Sequence, residues 1–104
     1  MPAGESKKPF AVHASVSVHK LYLELQMQAM LEGRGDETLA AYRQIMQRLR
    51  TDPFEFGEPL YPLRHLRLHM RNCSLRPLVV EFAVSAEHHM VFIKTFRLMS
   101  AELS

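Results

Sequence analysis

Between Arg64 and Arg76 the chain carries four arginines (Arg64, Arg67, Arg71 and Arg76) and two histidines (His65 and His69). No acidic residue falls anywhere from Pro59 to Val80, whereas the preceding stretch, Glu24 to Glu58, has seven acids against four basic residues. A basic cluster without counter-charge is the electrostatic footprint of a surface that meets phosphate or an acidic protein. An ordinary solvated strand face gives the same pattern, so charge by itself leaves both readings open. The run His65-Leu66-Arg67-Leu68-His69-Met70-Arg71 alternates strictly. As a strand it places Leu66, Leu68 and Met70 on one face and His65, Arg67, His69 and Arg71 on the other. His69 is the group there suited to proton transfer near neutral pH, although a lone strand histidine is commonly structural.

Other chemistry fares less well. His65 and His69 are four apart, a metal-ligand spacing on a helix, but along a strand they stand about 13 Å apart. Only Cys73 lies near enough to add a ligand, and a zinc site needs three or four, so no metal is expected. His88-His89 reads as a turn tip. Cys73 is the single cysteine. It has no intramolecular disulfide partner and no evident orienting base, so it reads as an inert turn residue of a reducing, cytoplasmic protein. No cofactor motif is present, and none is expected.

The elements that position these residues follow from periodicity. At 104 residues, 47% hydrophobic and 23% charged, the chain fits one globular domain with a single core. No apolar run is long enough for a membrane helix, and no membrane partner is expected. Residues 1–9 read as a disordered leader, 10–99 as the domain and 100–104 as a flexible tail. Phe10 to Ala14 alternates as a short strand. Ser15 or Ser17 then caps a helix with Val18, Leu21, Tyr22, Leu25 and Ala29 on one stripe. Gly33, Arg34 and Gly35 break it. Asp36 is the expected N-cap of a second helix with apolar face Leu39, Tyr42, Ile45, Met46 and Leu49, ending at Thr51-Asp52-Pro53. Phe54 to Pro62 reads as a loop, and Asn72 to Pro77 as a turn. Leu78 to Val84 reads as a buried strand and Met90 to Leu98 as a closing strand, with Lys94 and Arg97 as further cations on it.

The expected fold is therefore α+β: a short N-terminal strand, a helical hairpin, and a three-stranded antiparallel meander. Met27, Met30 and Met46 are expected mostly in the core. Phe54 and Phe56 are expected to form an exposed partner-binding patch, fit for an amphipathic helix or an added strand. The closing strand is expected at a sheet edge, which favours a partner chain or a homodimer.

This order resembles the RelE/ParE family of small bacterial toxins. The likeness rests on Leu49-Arg50-Thr51-Asp52-Pro53, on Gly57-Glu58-Pro59-Leu60 with Leu63, on the basic segment, on Arg76 to Val84, and on Met90-Val91-Phe92-Ile93. It covers about residues 10 to 98. The resemblance implies the toxin of a type II toxin–antitoxin system, of the kind used in plasmid stabilisation, with an antitoxin protein as partner. RelE-like members cut mRNA on the ribosome without a metal; ParE-like members inhibit DNA gyrase; some members are non-toxic interaction domains. Metal-free RNA cleavage needs an acid–base group and cations at the phosphate. The resemblance implies Arg64, Arg67, Arg71, Lys94 and Arg97 as RNA or anion contacts and Arg76, just before the strand in which the family carries an arginine, in a catalytic role; His69, on the same expected face as Arg67 and Arg71, is the residue that could replace the family's acid–base group. The Tyr or His that RelE-like enzymes carry after the last strand is missing, since Leu98 to Ser104 contains neither. That departure favours binding of a macromolecular target over cleavage.

Overall fold

The computed structural model describes residues 8–100, so the leader expected at 1–9 and the tail at 100–104 lie almost wholly outside the described residues. The element order is β1 (Ala11–Ala14), α1 (Val16–Leu31), α2 (Gly35–Thr51), β2 (Glu58–Leu63), β3 (Leu68–Leu75), β4 (Leu78–Ser85) and β5 (Met90–Leu98). A single 3-10 turn, Arg64–Leu66, joins β2 to β3. The class is α+β, as its periodicities require.

The five strands form one mixed sheet in the order β1-β5-β4-β3-β2. β2 to β5 are an antiparallel meander, and β1 closes the far side by pairing parallel to β5. Two expectations need correction. The meander has four strands, not three, because Glu58–Leu63 is a strand despite Pro59 and Pro62. Those prolines sit on the outermost strand, where one side of the backbone has no ladder to break. The closing strand β5 is interior; the edges are β1 and β2.

α1 starts where Ser15 accepts a hydrogen bond at Oγ from the Val18 amide (3.2 Å). It stops at Gly33, whose φ of +77° reverses the chain at little steric cost. α2 then begins at Gly35, preceded by Arg34, so Asp36 lies in the first turn instead of capping it. The carboxylates of Asp36 and Glu37 still complement that end of the helix dipole. The hairpin is fastened by a relay: the Tyr22 hydroxyl donates to Gln26 Oε1 (2.9 Å), and Gln26 Nε2 donates to the Gly35 carbonyl (2.9 Å).

The hairpin packs on one face of the sheet. Tyr22 stacks on Tyr42 (centroids 3.9 Å apart), and both rings lean on Phe96 of β5 at 5.6 and 5.9 Å. Val18, Ile45 and Leu49 complete the helical side of the core, against Leu78, Val80, Phe82, Val84, Val91 and Ile93. α1 is otherwise unusual. Met27 and Met30 are 65% and 64% exposed, against the expectation that they fill the core, whereas Met46 does pack against it.

Phe82 is fully buried and stacks on Phe56 at 6.1 Å. Replacing Phe82 with Ala removes a ring at the centre of the sheet and leaves a cavity. Chemical denaturation is expected to show a loss of about 3–5 kcal/mol with the native fold retained.

Candidate functional site

The register sorts the side chains of the sheet into two sets. His69, Arg71, Cys73 and Leu75 of β3 lie opposite Val84, Phe82, Val80 and Leu78 of β4, which face the helices. The intervening residues face the other way. One row on this second face crosses all five strands: Tyr61, Met70, Ala83, Phe92 and His13 are consecutive partners from β2 to β1. Met70 and Ala83 are buried by their neighbours, while Tyr61 and Phe92 are 48% and 38% exposed. His13 stacks on Phe92 with centroids 5.8 Å apart. Among the described residues no helix or loop covers this face.

Charge borders the row. The pairing of β4 with β5 shifts register at Glu81/Phe82, leaving Lys94 without an opposite residue. This bulge turns Lys94 and Thr95 toward the same side. Lys94 donates to Glu81 Oε1 (3.1 Å). That hydrogen bond, then the charge of Glu81 and then that of Tyr61, raise the lysine pKa above its usual value. Arg97 is exposed and lies opposite Val79 on this face, one row further along.

The expected basic face does not form. Arg64 and His65 lie in the 3-10 turn and Arg67 adopts a left-handed conformation at φ 55°, so the strand begins only at Leu68. Arg67 pairs with Glu87 across the end of the sheet (3.0 Å). His69 does lie on the strand, on the helix-side face, with its ring edge-on to Phe54 at 5.6 Å. Arg71 holds the loop before β2: its Nε donates to the Phe56 carbonyl (3.3 Å) and Nη2 to the Gly57 carbonyl (3.0 Å). Arg76 is exposed in the β3–β4 turn, beside the cis Arg76–Pro77 bond. His69 and Arg71 thus lie on the opposite side of the sheet from Lys94 and Arg97. Alternation holds from Leu68 onward, with His69 and Arg71 on one side and Met70 on the other, but Arg64 and His65 in the 3-10 turn and the left-handed Arg67 fall outside the strand and leave the basic face incomplete.

The two phenylalanines also separate. Phe56 is only 5% exposed and belongs to the core, with the Arg48 guanidinium 4.8 Å from its ring centroid. Phe54 is 37% exposed and meets Phe10 edge-on at 6.2 Å. Phe10 in turn stacks on His89 at 3.7 Å, and the His89 Nε2–H donates to the Lys8 carbonyl (2.6 Å). Phe10, Pro53, Phe54 and His89 line a cleft of about 480 Å³ at the end of α2. Cys73 lies in β3, not in a turn, and burial pushes its thiol pKa up, partly offset by the Arg48 charge. No cluster of three or more His, Cys, Asp or Glu side chains suited to a metal occurs among the described residues.

Sequence reasoning missed Tyr61 and His13 as candidates. They are remote from each other and from Phe92 in the chain, and only the sheet order brings them into one row. Among the described residues no helix is long and apolar enough to cross a membrane. Comparison with known protein families, with curated proteins and with solved structures gives no match.

Two outcomes test these assignments. Arg71→Ala removes donors to two carbonyls and is expected to lower stability by about 1–3 kcal/mol in urea unfolding, with Arg71→Lys recovering only part of it. Cys73 is expected to react with a thiol reagent at pH 8.5 more slowly in the native protein than after unfolding, because burial shields the sulfur and its raised pKa keeps the thiolate scarce.

Proposed function

We propose that this chain is a RelE/ParE-like toxin, the toxic half of a cytoplasmic toxin–antitoxin pair, which acts by holding a macromolecular target on the open face of its sheet. The observation that carries the reading is the uncovered row Tyr61, Met70, Ala83, Phe92 and His13, bordered by Lys94 and Arg97. The order strand, helix, helix and meander is consistent with the family resemblance of the sequence. Exposed rings on a sheet, with cations beside them, are what stacking of unpaired bases and neutralisation of their phosphates require. Single-stranded RNA is therefore the target class this surface suits best.

Binding without cleavage is the reading favoured for His69 and Arg71, since they lie across the sheet from Lys94 and Arg97. A second reading, metal-independent cleavage, is supported by Tyr61, which lies on the open face close enough to Lys94 to act on its charge. A phenolic hydroxyl near a cation is a group that proton transfer in RNA cleavage can use, whereas His13 stands at the other end of the row, four strand spacings or about 19 Å away, out of reach of the same phosphate.

The test is inducible expression of the full chain alone in a bacterium, beside a Tyr61→Ser/Phe92→Ser variant. Wild type is expected to arrest growth; the variant, with an unchanged circular dichroism spectrum, is expected not to. Purified Phe92→Ala is expected to bind single-stranded RNA roughly tenfold or more weakly, from the loss of one stacked base. Arrest with cleaved mRNA selects the nuclease. Arrest with DNA damage and intact mRNA gives the surface to gyrase. No growth effect from the wild-type chain removes the toxin reading.

A further inference from the structure

The outward side of α1 plays no part in that surface, and it is apolar. Val16, Leu23, Met27, Met30 and Leu31 are 72%, 59%, 65%, 64% and 89% exposed. Their spacing, with Lys20 between them, places them on one stripe about 100° wide, turned away from the buried residues Val18, Tyr22 and Ala29. A helix that is apolar on both sides belongs between two layers, and among the described residues only the inward side of α1 is covered. α2, by contrast, turns Arg43, Gln44, Gln47 and Arg50 to solvent.

We propose that the outward face of α1 is the interface for a second copy of this chain, the two α1 helices packing antiparallel about a twofold axis near Leu23 and Glu24. Size and charge both select this occupant. The five side chains together expose roughly 600 Å², near the ~800 Å² that each partner contributes to a standard stable interface. A twofold contact must be self-complementary, and this stripe is. Antiparallel packing sets Val16 of one copy opposite Leu31 of the other, Lys20 opposite Met27, and Leu23 beside its own counterpart. Lys20 then lies within about one turn of Glu24 of the other copy. Both are exposed, and neither forms an ion pair among the described residues. The alkyl stem of Lys20 covers the stripe while its ammonium reaches the carboxylate at the rim.

Sedimentation equilibrium of the full chain tests this. The monomer mass is 12.0 kDa, and wild type is expected at twice that mass in the micromolar range. Leu23→Glu changes an exposed residue, so folding is retained; it is expected to raise the dimer Kd at least about tenfold. Lys20→Glu is expected to weaken the dimer and Lys20→Glu/Glu24→Lys to restore it. The proposal is overturned if wild type stays at 12.0 kDa up to millimolar concentration, or if Leu23→Glu leaves the dimer intact. It is equally overturned if a monomeric wild type takes up an amphipathic helical peptide that Leu23→Glu rejects, which would give the face to a different partner. Failure of the charge swap to restore a dimer weakened by Lys20→Glu overturns the antiparallel register.

Discussion

The contact among Tyr22, Tyr42 and Phe96 holds the three parts of this molecule together. Each ring comes from a different element, α1, α2 and β5. The two helices meet through the tyrosine stack, and the hairpin meets the sheet through Phe96. β1 precedes α1 directly, so fixing α1 over β5 also delivers β1 to its parallel partner. Burial, and next the neighbouring Tyr42, raise the Tyr22 pKa above its usual value, so the Tyr22 hydroxyl that donates to Gln26 stays neutral across the physiological range.

Placing both helices on one side sets the character of the other. β4 is buried along almost its whole length, although only alternate residues touch the helices. Val79 and Ala83 are shielded on the open side by neighbouring side chains alone, and a surface shielded in that way is flat, apolar and ringed by the longer residues of adjacent strands. β2 and β3 lie beyond the helices. The segment containing Phe54 and Phe56 covers them instead, and Arg71 holds that segment by its carbonyls. One of the arginines read in the sequence as an anion contact is thereby committed to the fold.

Much of this was legible in the residues. The helical hairpin, its Gly33 break, its Asp52-Pro53 stop and the strands Leu78–Ser85 and Met90–Leu98 follow from spacing and turn chemistry that act over a few residues. The failures have a common physical origin. β2 was missed because two prolines signal a loop, and only its outermost position makes them tolerable. The basic face was misassembled because a left-handed residue at Arg67 looks like any other arginine in an alternating run. The open row could not be read at all, since Tyr61, Phe92 and His13 are joined by strand order and not by spacing. Met27 and Met30 were assigned to the core because hydrophobicity reports a preference for burial without saying what does the burying.

The prolines of β2 have one more effect. A sheet grows by offering amide protons in step along its border, and Pro59 and Pro62 delete two of them from a six-residue strand. The opposite border is only four residues long. Neither margin templates a further strand well, so the molecule resists the end-to-end polymerisation that open sheets invite when concentrated or heated. The chain is thus able to keep a broad, sticky sheet face exposed and still remain a discrete particle.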